Sequence, residues 1–177
     1  QMQKHIRKNV NFDKVREVVK MMKAKKLNVH ICWMLGFPNE TLQQINSTIG
    51  FARELRAHSN QFMTVLPYPG TKLFEEAKNN DLLMSPDDDL DKYDNRKCDY
   101  LKSDEWDSNK LQEMSYDANI ELNFLNNPCL DSVEGRDYIL RKYEDLLLTL
   151  PDHIIMHISV GYINKLKNNL VKYEKHY

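Results

Sequence analysis

Val29-His30-Ile31-Cys32-Trp33-Met34-Leu35-Gly36-Phe37-Pro38-Asn39-Glu40-Thr41 is the stretch on which the fold turns. Val29 to Leu35 is short and almost wholly apolar, which predicts a strand buried on both faces, as in parallel sheets covered by helices. Gly36, Pro38 and Asn39 then make a turn. Thr41 with Gln44 has the form of a capping box, opening a helix whose Leu42, Ile45, Ile49, Ala52 and Leu55 share one face. A second strand is expected over Phe62 to Leu66, stopped by Pro67, after Ser59 and Asn60. Pro67-Tyr68-Pro69-Gly70 is again a turn, and Thr71 can cap a helix running through Leu73, Phe74 and Ala77 toward Leu83.

Working outward, Val15, Val18, Val19 and Met22 recur at helical spacing upstream, with Asn11 as a cap. The order helix, strand, helix, strand, helix implies βαβ crossovers and an α/β sheet or barrel. A complete barrel of the common type takes about 250 residues, so two strands amount to a portion of one, with open strand edges that invite association. Residues 1–84 form this unit. Residues 85–130 follow as an acidic excursion, with Asp87, Asp88, Asp89, Asp91 and Asp94 close together, and a covering helix. That helix is capped by Asp107 or Ser108 and carries Leu111, Met114, Ala118, Leu122 and Leu125 toward Pro128. Residues 131–177 read as a helical appendage. The chain opens on Gln1 and enters a helical pattern almost at once, which sets the expectation of a piece cut from a longer protein.

Charge and cysteine usage exclude several classes. With 25 Lys and Arg against 26 Asp and Glu the net charge is -1, which gives no drive toward nucleic acid or anionic lipid. The most apolar stretch, Leu146 to Ile163, is broken by Pro151, Asp152, His153 and His157, so no membrane span is expected. Without a secretory signal, the cytoplasm is the default. Cys32, Cys98 and Cys129 lie too far apart for a disulfide framework or a metal loop. Cys32, within an apolar strand, reads as a buried small hydrophobe. His153 and His157 share a helical face but lack the glutamate of a zincin. Tyr138, Tyr143, Tyr162 and Tyr173 with nearby lysines suggest a nucleic-acid surface, which Glu134, Asp137, Glu144, Asp145 and Asp152 cancel.

The carboxyl ends of strands are where α/β proteins bind ligands, so the two turns are the places to look. In Gly36 to Thr41 a glycine that allows close backbone approach precedes a helix N-terminus whose free N–H groups favour acceptors. Taken singly, each is also an ordinary strand-to-helix turn. Glu40, placed in the first turn of a helix, has a structural role ahead of a catalytic one.

Taken together, Gly36-Phe37-Pro38-Asn39-Glu40-Thr41 and Pro67-Tyr68-Pro69-Gly70-Thr71, followed by Lys72-Leu73-Phe74-Glu75-Glu76-Ala77, resemble radical S-adenosylmethionine (SAM) enzymes. In that family such sequences follow the fifth and sixth barrel strands, and the likeness covers roughly Phe12 to Met84. Asp91-Lys92-Tyr93-Asp94 and Asn119-Ile120-Glu121-Leu122 look similar to the extension after the barrel in the cobalamin-binding branch. The resemblance implies an α/β fold, a partial TIM-like barrel with a mostly helical C-terminal extension. It implies a parent enzyme in which SAM, held by a [4Fe–4S] cluster, yields a 5′-deoxyadenosyl radical for methylation or carbon rearrangement, with cobalamin possible as a further cofactor. Cofactor-binding positions carried over are Met34, Leu35, Gly36 and Phe37 near the adenosine, and Leu66, Pro67 and Tyr68 presenting backbone to the adenine. No catalytic or metal-binding residue is assigned. Asn39 stands where the family has glycine, and asparagine tolerates left-handed backbone.

The family's Cys-x3-Cys-x2-Cys loop is absent, so this chain alone is expected to hold no cluster and to be inactive. Its implied partners are the upstream half of the same barrel and a small-molecule substrate. Two alternatives stay open: a fragment of a tRNA methylthiotransferase, whose β-rich tail this chain lacks, and a non-catalytic α/β partner-binding module.

Overall fold

The computed structural model describes residues 8–84 and 100–149. Residues 85–99, with Asp91-Lys92-Tyr93-Asp94 and Cys98, and residues 150–177, with His153, His157, Tyr162 and Tyr173, lie outside the described residues, as do residues 1–7.

Helix α1 (Phe12–Ala24) starts at Asn11, whose side chain accepts a hydrogen bond from the Lys14 amide. Its buried Val19 packs with Val29, Leu55 and Ala57. Strand β1 (His30–Leu35), helix α2 (Leu42–Leu55) and strand β2 (Ser59–Thr64) form a βαβ unit with a two-stranded parallel sheet, in register from His30 opposite Ser59 to Leu35 opposite Thr64. Both arms of the predicted capping box at α2 are made: the Gln44 amide donates to Thr41 Oγ1 at 3.2 Å and the Thr41 amide to Gln44 Oε1 at 2.9 Å. Thr71 caps α3 (Lys72–Asn79), which ends short of Leu83; Asp81 turns left-handed and Leu83 instead bridges to Leu101. Beyond residue 100 come α4 (Ser108–Ile120), a π-helical turn (Glu121–Leu125), a 3-10 turn (Pro128–Asp131) and α5 (Val133–Thr149). The fold is therefore α/β, with a small parallel sheet and a mostly helical C-terminal part.

One core draws on all of these except α1, the 3-10 turn and α5, from Leu35, Ile45 and Phe62 to Trp106 and Leu111. Tyr100, Leu101 and Trp106 lie in the stretch the sequence gives to a surface excursion, yet all three are buried. Trp106 is anchored there because its Nε1 donates to the Glu40 carbonyl at 2.6 Å, which satisfies the indole's one polar atom.

Strand β1 departs from the expectation of burial on both faces. Ile31, Trp33 and Leu35 point to the helices, while His30, Cys32 and Met34 are exposed. The same face of β2 carries Ser59, Gln61 and Met63. The described helices pack on one side of the sheet only, so alternate residues of an apolar strand are left without cover. Cys32 is thus an exposed thiol and not a core residue.

The edges differ as well. In a parallel ladder alternate residues turn their N–H and C=O outward. On β2 these are Asn60, Phe62 and Thr64, given the inward bonds from the Ser59 amide to Val29 O and from the Val65 amide to Leu35 O. Asn119 takes the place of a neighbouring strand at Phe62, accepting from its amide at 2.9 Å and donating to its carbonyl at 3.1 Å. Asn123, one helical turn on, does the same for Asn60, each bond being 2.7 Å. Ser115 Oγ adds a bond to Phe62 O, and Asn127 Nδ2 one to His58 O. Spacing of four residues puts Ser115, Asn119 and Asn123 on one helical face, and Asn127 follows in extended backbone just beyond the helix. Arg53 fastens this segment to α2 through paired bonds to Glu121. The expected open edge is therefore closed at β2. On β1, no hydrogen bond among the described residues is made to the outward N–H and C=O groups of His30, Cys32 and Met34.

Candidate functional site

Because β1 and β2 are parallel and in register, their following turns leave from the same end of the sheet, side by side. Of the seven candidate residues there, Met34 and Tyr68 are exposed and Leu66 is half-buried. Leu35, Gly36, Phe37 and Pro67 are buried, Leu35 and Phe37 within the core. Side-chain surface for a ligand at this end is thus offered by Met34, Leu66 and Tyr68.

The first turn is held by its own carboxylate. Glu40 is 3% exposed, and its Oε2 accepts from the amides of Gly36 at 2.7 Å and Phe37 at 3.0 Å. Burial pushes its pKa up, and the two amide bonds oppose that shift without cancelling it. Glu40 stands just before the Thr41 cap and not in the first helical turn, so its work is to staple the turn. Asn39 adopts φ 62°, the left-handed conformation in which asparagine is tolerated and glycine is free.

Gly36 has φ 83°. A Cβ there would collide with Leu111 Cδ2, so the missing side chain makes room for α4. The sequence assigns this glycine to ligand approach; the space is filled by the protein itself. The helix N-terminus behind the turn is partly occupied too. Gln44 N is taken by Thr41, and Leu42 N donates to Glu105 Oε2 at 2.8 Å. The turn is thus a braced platform and not an open anion cradle.

The second turn is looser. The Thr71 amide and hydroxyl both donate to the Tyr68 carbonyl, at 3.1 and 2.6 Å, and Thr71 Oγ1 accepts from the Phe74 amide. Gly70, at φ 81°, has no heavy atom within 4 Å of its Cβ position. Tyr68 is left projecting beside it, 45% exposed.

Two features went unread in the sequence. The open sheet face with His30, Cys32, Ser59 and Gln61 was hidden by the apolar look of β1. On the helical side, Phe12, Trp33 and Phe51, with Arg16, Ser47 and Thr48, line an open cleft of about 300 Å³. Arg16 is already engaged there by Glu54 and Asp13, with its guanidinium 4.9 Å above the Phe51 ring. Among the described residues no three His, Cys, Asp or Glu side chains converge as a metal site would require. No described helix is long and apolar enough to cross a membrane.

No known protein-family profile matches the chain. A stretch of 64 residues, 35% of the chain, is 42% identical to an uncharacterized methyltransferase of Pyrococcus horikoshii. The chain spans 14% of the length of that relative.

Proposed function

We propose that this chain is the C-terminal part of a radical SAM barrel from a longer methyltransferase-like enzyme, and that its two strand-end turns form the adenosine side of the SAM site. The observation that carries the reading is the asymmetry of the sheet. β2 is closed off by Asn119 and Asn123, whereas β1 keeps outward backbone groups on the side where upstream strands of a barrel would pair. The partial likeness to a protein named as a methyltransferase supports SAM as the methyl source.

In this reading the residues of the chain position and do not react. Met34 and Tyr68 offer apolar and aromatic surface to the adenosine, Leu66 offers its backbone amide to the adenine edge, and Glu40 keeps the first turn rigid. The [4Fe–4S] cluster does not fit the described residues. The two described cysteines are Cys32 on the sheet and Cys129 in the 3-10 turn, and no third ligand joins either. Its ligands would belong to the upstream part. Cobalamin enters the proposal for the longer protein alone, through the likeness of Asn119 to Leu122 to the covering extension.

The test is the natural sequence upstream of Gln1. An in-frame Cys-x3-Cys-x2-Cys loop, with iron-dependent SAM cleavage by the longer protein, supports the reading, and Tyr68→Ala should then weaken SAM binding roughly tenfold, the value of a lost aromatic contact. A start codon immediately before Gln1 would overturn it. The partner-binding module would then replace it, since the unpaired β1 edge still calls for a strand from elsewhere.

A further inference from the structure

The outward face of the sheet gathers donors that the SAM reading does not use. His30 lies opposite Ser59 and Cys32 opposite Gln61. Residues two apart on a strand share a face about 7 Å apart, and neighbouring strands lie about 5 Å apart, so these four side chains crowd one small patch. Cys32 Sγ is 3.4 Å from His30 Nε2 and 3.9 Å from Gln61 Oε1. His30 Nδ1 is 3.0 Å from Ser59 Oγ.

We propose that this patch binds a thiophilic divalent cation of the zinc type, with Cys32 Sγ and His30 Nε2 as ligands, Gln61 Oε1 as the third donor and water in the fourth position. Two bonds of ordinary zinc length to sulfur and imidazole, at a tetrahedral angle, hold S and N roughly 3.5 Å apart. The observed pair is therefore already at bite distance, and Gln61 needs only a small rotation. Metal-bound histidines donate their other ring N–H to an oxygen, which fixes the tautomer. A bond from Nδ1 to Ser59 Oγ does this and leaves the Nε2 lone pair facing Sγ. The amide oxygen raises a Cys–His pair to three donors where no three His, Cys or carboxylate groups converge. His30, Cys32 and Gln61 are exposed, so an ion can enter from solvent. On binding, the Cys32 thiol proton is released to water as the S–metal bond forms. No oxidant or reductant is involved. The site belongs to this chain alone and stands whether or not the SAM reading holds.

The experiment is a Co²⁺ titration of the reduced 177-residue chain, read by its near-ultraviolet thiolate-to-cobalt charge-transfer band and followed by displacement with Zn²⁺. The band should form at one equivalent and persist in a Cys98→Ser, Cys129→Ser background. Cys32→Ser should abolish it, and His30→Ala should weaken binding at least as much as Ser59→Ala, which should cost about 10- to 100-fold as the loss of an orienting group. Since all three positions lie on the exposed face, far-ultraviolet circular dichroism should be unchanged. No band in the parent chain, or a band that survives Cys32→Ser, would overturn the proposal.

Discussion

The two outer edges of the sheet have the same kind of backbone and opposite fates. At β2, two asparagines spaced one helical turn apart supply both a donor and an acceptor to each outward residue, so a helix completes a sheet without contributing a strand. At β1, the outward groups of His30, Cys32 and Met34 have no such partner among the described residues. A buried amide or carbonyl left unpaired costs about 1–3 kcal/mol, so closing an edge is worth several such terms. The difference teaches direction: among the described residues the sheet is closed at β2 and open at β1.

The largest effect should come from opening the closed edge. Asn119→Ala with Asn123→Ala removes four hydrogen bonds to β2 and should cost about 3–6 kcal/mol in urea denaturation, below the sum of independent bonds because the two sites share one strand. A loss under about 1 kcal/mol would mean that the asparagines merely touch an edge that water serves equally well. Next is the packing that seats the same helix. Gly36→Ala forces left-handed strain and a clash with Leu111, for about 2–4 kcal/mol. Gly70→Ala shares the strain but meets empty space, for about 1–2 kcal/mol. Equal costs would show that α4 does not press on the first turn.

Glu40 gives a smaller, pH-dependent effect. Its folded pKa lies above the ordinary glutamate value, so the folded state holds the proton more tightly than the unfolded one. Its contribution to stability is then largest below the ordinary pKa and declines as pH rises through the folded value. Glu40→Gln keeps an oxygen for the two amides and should flatten that decline in melting temperature measured across the acid range. An unchanged slope would show that Glu40 carries no such burden. The smallest effect is expected at Asn39, where Ala should cost about 1 kcal/mol and Gly should stay within about 0.5 kcal/mol of the parent.

The sequence made the local grammar of the chain readable. Asn11, Thr41, Thr71 and Asp107 were legible as helix caps because capping is a contact between near neighbours. The βαβ order was legible from the periodicity of α2 and the apolar run before Gly36. What was not legible depends on distant segments. Ser59 and Asn60 look like strand breakers, yet both belong to β2, because Asn123, 63 residues away from Asn60, pairs with its backbone. Trp106 sits in an acidic context that hides its burial against Glu40. Cys32 looked buried because an apolar strand does not state which of its faces the described helices cover. Gly36 was legible as a required glycine, but its reason, Leu111, lies 75 residues on in α4.

The most direct test is amide hydrogen exchange of the 177-residue chain, resolved by residue. The account predicts that the Asn60 and Phe62 amides are protected as well as their inward neighbours Gln61 and Met63, while those of His30, Cys32 and Met34 exchange like free amides beside protected Ile31, Trp33 and Leu35. Equal protection of outward and inward amides along β1, or rapid exchange at Asn60 and Phe62, would contradict it.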